Sequence, residues 1–371
     1  MGNSLYPEIP SRKENQLVRA EKSRWLLWST LGALAFIALD WALLAMLPRL
    51  GLSFGPIWPP ILWLIFPRLV FLAVAFLPPA IRRMWKAGVS PKAWRTPFSL
   101  WLALNLLFTG LEVDALYVEP FRMTVTEAQL PGPSLATGRP LRIVQLSDLH
   151  IEGITPREGE MLARVEDLAP DLILLTGDYV HLDSLDSPTA LRDARLVLSQ
   201  LHAPLGVFAV QGTVDRESVL AEVFTGLPIT LLRNETRRVP LAQGELFLIG
   251  LDVYTGRRNP ETLARLTASL PSNAYTILLY HTPDLIREAA DAGIDLYLAG
   301  HTHGGQIRLP FYGALVTFSK YGKQYEMGLY QVDSTYLYVT RGIGMEGLGL
   351  PRVRFLCPPE IVVIELAPLS K

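Results

Sequence analysis

Four of the chain's six histidines stand in three short motifs, each directly after a run of apolar residues. The first is Ser147-Asp148-Leu149-His150, after LRIVQL. Residues i and i+2 of an extended segment point the same way, so Asp148 and His150 can hold one cation together. Gly177-Asp178 follows LILLT and offers a lone carboxylate able to bridge two metals. Tyr280-His281-Thr282-Pro283 follows TILL, and Gly300-His301-Thr302-His303-Gly304-Gly305 follows LYLA. The last again sets two imidazoles at i and i+2, among glycines that let the backbone approach a ligand closely. Singly these motifs are ordinary: Gly-Asp is commonly a turn, a lone histidine a core residue, GHTH a polar loop. The ordered set of DxH, GD, H and GHxH, each at a strand end, points to a metal centre. There is one cysteine, Cys357, so neither a thiolate zinc cluster nor an internal disulfide can form. Hard oxygen and imidazole donors without sulfur suit Mn, Fe or Zn, with Mn the first choice.

Such residues need a rigid edge. From Leu141 onward short apolar runs alternate with polar, helix-length segments. Strands are expected at 141–146, 172–176, 207–210, 246–249, 276–280, 296–299, 329–332, 336–339 and 361–365, and helices near 156–168, 189–201, 216–225, 260–269 and 283–291. Continuous apolar strands imply sheets buried on both faces, and the last three, without intervening helices, imply an antiparallel part. The motifs fall at the C-terminal ends of strands, where α/β sheets gather their sites.

The first 120 residues have another character. Mean hydropathy is +0.26 for the whole chain, and the excess is concentrated here. Trp25 to Leu47, Ile57 to Ala80 and Phe98 to Val118 are apolar runs long enough to cross a hydrocarbon core of roughly 30 Å. The second is interrupted by Pro67 and Arg68, the first carries Asp40, and the third carries Glu112 and Asp114. Trp25, Trp28, Trp58 and Trp101 are placed as an aromatic belt. Basic residues in the tail (Arg12, Lys13, Arg19, Lys22, Arg24) and in the second loop (Arg82, Arg83, Lys86, Lys92, Arg95) put both in the cytoplasm. Three crossings then leave the rest of the chain outside the cytoplasm, whereas a re-entrant second run would return it. The expected organisation is a cytoplasmic tail at 1–24, a transmembrane region at 25–119, a Pro/Gly linker at 120–140 and an α/β domain at 141–371. A net charge of −1 gives no electrostatic case for a nucleic-acid partner. Membrane lipids are the expected partners, and the oligomeric state is left open.

The order DLH, GDY, HTPD and GHTHGGQI resembles the calcineurin-like metallophosphoesterase superfamily. The longer stretches LRIVQLSDLHI, LAGHTHGGQIRLP and LYVTRGIG resemble its membrane-associated or secreted bacterial branch, related to UDP-diacylglucosamine pyrophosphatase-like phosphodiesterases. The resemblance covers about Leu141 to Leu366. It implies a four-layer α/β/β/α sandwich carrying two divalent metal ions. Asp148, His150 and His303 would bind the first, His281 and His301 the second, and Asp178 would bridge them. The implied activity is hydrolysis of a phosphodiester or pyrophosphate, with a lipid-linked phosphate as the preferred substrate class, by a hydroxide shared between the cations. The family's usual Gly-Asn-His-Asp/Glu is here Gly212-Thr213-Val214-Asp215. Thr213 offers a shorter and weaker ligand than asparagine, and Val214 cannot carry a proton. Asp178, His181 and Asp215 are the candidate catalytic residues, with His181 read as either an exposed loop histidine or a spare acid. Arg341 and Arg257–Arg258 are candidate phosphate contacts or surface arginines. The rival reading is a metal- or phosphate-binding protein without turnover.

Overall fold

The computed structural model describes residues 12–50, 58–85, 95–133, 138–241, 245–347 and 352–367. They form two units, one helical and one running from Asp114 onward. In the helical unit α1 spans Arg12–Met46, α2 Trp58–Trp85 and α3 Arg95–Val113. Residues 1–11 of the tail and most of the basic second loop, 86–94, lie outside the described residues. The tail expected at 1–24 is helical from Arg12. Two stretches, Leu27–Arg49 and Arg95–Phe121, are long and apolar enough to cross a membrane; in α2 the apolar part is the shorter Ile61–Phe76. Three spans are therefore not established by length and composition. The Pro67–Arg68 break does not interrupt α2, because the Arg68 side chain is satisfied inside the unit. Its guanidinium donates to Asp40 (2.6 Å), Glu112 (2.9 Å), Thr109 (3.1 Å) and Asn105 (3.2 Å). It also lies 5.0 Å from the ring centres of Phe36 and Phe108. Trp101, expected at an interface, is instead buried beside Phe36 and Phe98.

The α/β unit holds two six-stranded sheets and a small hairpin. The first sheet begins with β1 (Thr124–Pro131) and β2 (Leu141–Leu146). It continues through β3 (Leu172–Leu175), β4 (Val207–Ala209) and β5 (Ile229–Leu231). Helices α4 (Pro156–Leu168), α5 (Pro188–Leu198) and α6 (Glu217–Phe224) connect them. The second sheet contains β6 (Glu235–Pro240), β7 (Glu245–Gly250), β8 (Tyr275–Leu279) and β9 (Leu296–Ala299), with α7 (Asn259–Thr267) and α8 (Ile286–Asp291) between them. The hairpin is β10 (Arg308–Leu309) with β11 (Gly313–Ala314). Strands β12 (Gly328–Val332) and β13 (Thr335–Val339) complete the second sheet, and β14 (Glu360–Ala367) returns to the first.

Their orders are β1-β14-β2-β3-β4-β5 and β12-β13-β9-β8-β7-β6. In each, four consecutive strands are parallel, β2 to β5 and β7-β8-β9-β13. The antiparallel pairs β6–β7, β12–β13 and β14–β2 lie outside these runs. Alternation along each strand divides the core. Val144, Leu146, Ile173 and Leu175 pack with α4, α5 and α6, while Ile143, Leu172 and Leu174 meet Leu248, Ile277 and Leu298 of the second sheet. Ile249, Leu278 and Tyr297 turn to the far side, against α7 and α8. One expectation fails at the boundary. Much of the expected linker is β1, which pairs in parallel with β14 from Thr124↔Glu360 to Pro131↔Ala367. Its alternating TVTEAQL pattern was hidden by the prolines and glycines that follow.

Candidate metal centre

The motif residues all follow the C-terminal ends of parallel strands: Asp148 and His150 after β2, Asp178 after β3, Thr213 after β4, His281 after β8, His301 and His303 after β9. Two groups of three result, Asp148-His150-His303 and Asp178-His281-His301, with the prospective ligand atoms of each group within 4.8 Å of one another. In the first, His150 Nε2 faces His303 Nε2 at 3.1 Å, and Asp148 Oδ1 lies 3.4 Å from His303 Nε2. In the second, Asp178 Oδ2 is 3.0 Å from His281 Nε2. The same oxygen lies 3.8 Å from His150 Nε2, so Asp178 stands between the groups.

The extended geometry expected of Asp148 and His150 is not what brings them together. Asp148, His150, Asp178, His301 and His303 all have positive φ, at 51°, 42°, 59°, 68° and 49°. Non-glycine residues adopt this region rarely, at a cost of order 1–3 kcal/mol each, and such strain gathers at functional sites. Backbone hydrogen bonds between the loops hold it in place. Asp148 and His150 donate to the carbonyls of Gly177 and Asp178 at 2.9 and 3.1 Å, and Gly344 donates to Asp148. Gly300 is required by proximity, since a Cβ there would fall 2.1 Å from Ser147 Oγ and 2.3 Å from Asp148 Oδ2.

The donors suit cations. His281 Nδ1 is 2.7 Å from the Thr176 carbonyl, which can only accept, so Nδ1 carries the proton and Nε2 is turned toward the carboxylates. His281 Nε2, His150 Nδ1 and His303 Nδ1 are buried without a hydrogen-bond partner. Burial lowers His150 to about 4, further opposed by the neighbouring His181 and His281. Burial likewise lowers His301 to about 4 and holds His303 well below its ordinary value. Three imidazoles are thus neutral, as metal ligation demands. For His281, burial opposes the charged form, but Asp178 and then Asp148 outweigh it and raise the ring to about 10. Burial raises Asp148 to about 6, assisted by repulsion from Asp178. Asp178 stays below the ordinary carboxylate range because His281 overcomes its burial.

The remaining candidates divide. Thr213 Oγ1 donates to Asp178 Oδ2 at 3.2 Å and the Val214 amide to Asp178 Oδ1 at 2.9 Å, so the loop after β4 grips Asp178. Asp215 is engaged by the backbone of the neighbouring loop. Its carboxylate accepts from the amides of Asp178 (2.8 Å), Tyr179 (3.0 Å) and Gly212 (2.7 Å), which makes it a positioning residue. His181 is buried, not exposed. Its Nε2 is 3.3 Å from Glu346, whose other oxygen is 3.7 Å from His150 Nδ1. It therefore stands behind His150, away from the facing nitrogens. Arg341 is partly exposed, and its Nη2 donates to Thr124 (2.9 Å) and Glu360 (3.1 Å). Arg258 is exposed, and the Arg257 side chain lies outside the described residues.

Two residues escaped the sequence reading. Glu346 lies between His181 and the Nδ1 side of His150, where a carboxylate can support a metal-binding imidazole; its position just beyond TRGIG was the one available hint. Tyr254 donates its hydroxyl to the Thr213 carbonyl at 2.9 Å, and nothing in its local sequence marks it.

A family model described as calcineurin-like phosphoesterase matches residues 141–305. A metallophosphoesterase of Bacillus subtilis, YkuE, is 36% identical over 265 residues, 68% of this chain and 88% of that protein. The phosphodiesterase YaeI of Escherichia coli is 33% identical over 61% of this chain and 82% of its own length. LpxG of Chlamydia trachomatis, named a UDP-2,3-diacylglucosamine pyrophosphatase, is 29% identical over 68% of this chain and 92% of that protein.

Proposed function

The chain belongs to the calcineurin-like metallophosphoesterases, a family of hydrolases, and from that premise we propose a membrane-anchored phosphodiesterase or pyrophosphatase that works with two divalent metal ions. The observation that carries the reading is the pair of triads, buried except for the partly exposed His301, with Asp178 between them. Asp148, His150 and His303 would hold one ion, His281 and His301 the other, and Asp178 both, with Thr213 a candidate ligand of the second. Mn, Fe and Zn all suit the donors. Two bound cations would supply a hydroxide near neutral pH and offset charge on the phosphoryl oxygens. Asp215 holds the Asp178 loop, and the Thr176 carbonyl orients His281. The layered cores fit a four-layer α/β/β/α sandwich. Helices α1 and α3, joined by α2 with its Arg68 neutralised, suit three crossings that leave the α/β unit outside the cytoplasm.

Val214 cannot protonate a leaving group. An aryl oxide or phosphate departs without a proton, whereas an alkoxide needs one. Pyrophosphate linkages are therefore favoured, and the name of the Chlamydia relative supports a lipid-linked pyrophosphate as the substrate class. Purified protein with Mn²⁺ should hydrolyse a bis-aryl phosphodiester, and Asp178→Ala should abolish this. Val214→His should then raise turnover of an alkyl diester by roughly 10²-fold or more, with a smaller gain on the aryl diester. Equal gains would place the proton on another group, with Tyr254 tested before His181. The second reading, binding without turnover, rests on the same Thr213-Val214 replacement; metal uptake with no hydrolysis of either diester would favour it.

A further inference from the structure

Immediately beyond the GHTHGG turn, the α/β unit departs from its own surface pattern. Leu309, Phe311, Tyr312, Leu315, Val316 and Phe318 are exposed within ten residues, Phe311 completely (111%) and Phe318 at 63%. Monomeric soluble surfaces rarely gather large apolar side chains this way, and such patches mark interaction sites. Phe311 and Phe318 hold positive φ, 65° and 55°, a conformation uncommon for bulky side chains. From Gln306 to Tyr325 there is no acidic residue and five residues are aromatic; of the basic ones, Arg308 pairs with Glu326 at 2.7 Å, and Lys320 is exposed and Lys323 partly exposed beside the patch. Lys323 Nζ lies 3.4 Å from the centre of the Tyr312 ring. Aromatic and aliphatic tips flanked by lysines are the composition of segments that sit at the headgroup level of anionic bilayers.

The patch is joined to the metal centre. The Phe318 carbonyl lies beside the His301 ring. Gly305, at φ 84°, gives room for the returning strand, since a Cβ there would lie 2.3 Å from Ala314 Cβ. We propose that residues 309–318 form an interfacial anchor that seats in the surface of an anionic bilayer, presenting the metal centre to phosphates at headgroup level. This rests on the reading that α1–α3 hold the chain in a membrane, and it adds a second contact made by the α/β unit itself.

The test uses the full chain in phosphatidylcholine vesicles with and without phosphatidylglycerol. Cys357 is fully buried, so a spin label introduced through Phe311→Cys reports on the loop, with Glu222→Cys on α6 as an exposed control. The label at 311 should be more accessible to oxygen than to a water-soluble nickel chelate, more strongly so with phosphatidylglycerol, and the label at 222 should show the reverse. Equal water access at both sites overturns the anchor, as does label–label coupling that grows with protein density, which assigns the patch to a second copy. Separately, Phe311→Asp with Leu315→Asp should raise KM for a diester carried on the vesicle by about tenfold or more, since each apolar side chain loses its burial, and leave a soluble aryl diester unchanged. Equal losses on both substrates would make the loop part of the site's scaffold and sink the proposal. If the wild-type chain hydrolyses neither, the enzymatic reading fails, while the label accessibilities still decide the anchor.

Discussion

In the helical unit Arg68, Asp40, Asn105 and Glu112 lie inside while Leu34, Trp63 and Leu107 face outward; in the α/β unit Ile143, Leu172, Leu248, Ile277 and Leu298 of the two sheets are inside. On the proposed membrane reading, the two patterns answer to different solvents. Burying apolar surface is favourable where the alternative is water. It gains nothing where the alternative is lipid, and there the polar groups must find one another instead. The units also treat buried charge differently. Arg68 meets its carboxylates within the helical unit, a circuit closed by the protein alone. Asp148 and Asp178 face imidazoles of which one is raised toward the charged form, a circuit that a metal ion would complete.

The comparison breaks most visibly at Arg68. Arg68→Leu leaves Asp40 and Glu112 buried without their cation, and removing one partner of a buried pair costs about 3–5 kcal/mol. Thermal unfolding in detergent should register that loss, and replacing Asp40 and Glu112 by leucine as well should recover most of it. A triple variant as unstable as the single one would mean that the cluster does more than neutralise charge.

A matched pair of substitutions sharpens the contrast of solvents. Leu107 on α3 and Leu196 on α5 are both exposed, at 61% and 49%. Leu107→Lys should oppose membrane insertion by about 2.5–3.5 kcal/mol, the cost of lysine near a span's centre. Leu196→Lys should stay within about 0.5 kcal/mol, as surface changes in water do. Glycosylation-site mapping in microsomes reads the first and chemical denaturation the second. Equal, small effects would show that α3 meets water.

A smaller effect than at Arg68 or Leu107 is expected at Glu346, and it addresses the metal centre. Glu346→Gln keeps the shape behind His150 but removes the charge. Metal retention against a chelator should weaken by about 10–100-fold, the usual consequence of losing an outer carboxylate, while circular dichroism stays unchanged. Unaltered retention would separate Glu346 from the metal centre.

Much of the α/β unit was legible because its strands are short, apolar and followed by chemistry-bearing residues. LRIVQL, LILL and LYLA declare buried strands by composition, and the DLH, GD, H and GHTH that follow declare their ends. What escaped was non-local. β1 reads as linker because its partner, β14, lies more than 200 residues away. Glu346 and Tyr254 gain meaning only when loops from different strands meet.

By itself the sequence determined which residue types stand at which strand ends, and that the first 120 residues carry apolar helices around a few charges. Those are local properties, set by composition and by the side-chain periods of strand and helix. Only the tertiary structure decided that the DxH and GHxH pairs converge through left-handed backbone, that Asp215 supports Asp178, and that His181 stands behind His150. It also decided that Arg68 is closed off by Asp40 and Glu112. Each of these depends on hydrogen bonds and close approaches between segments far apart in the chain, and no local pattern of residues encodes which distant partner will arrive.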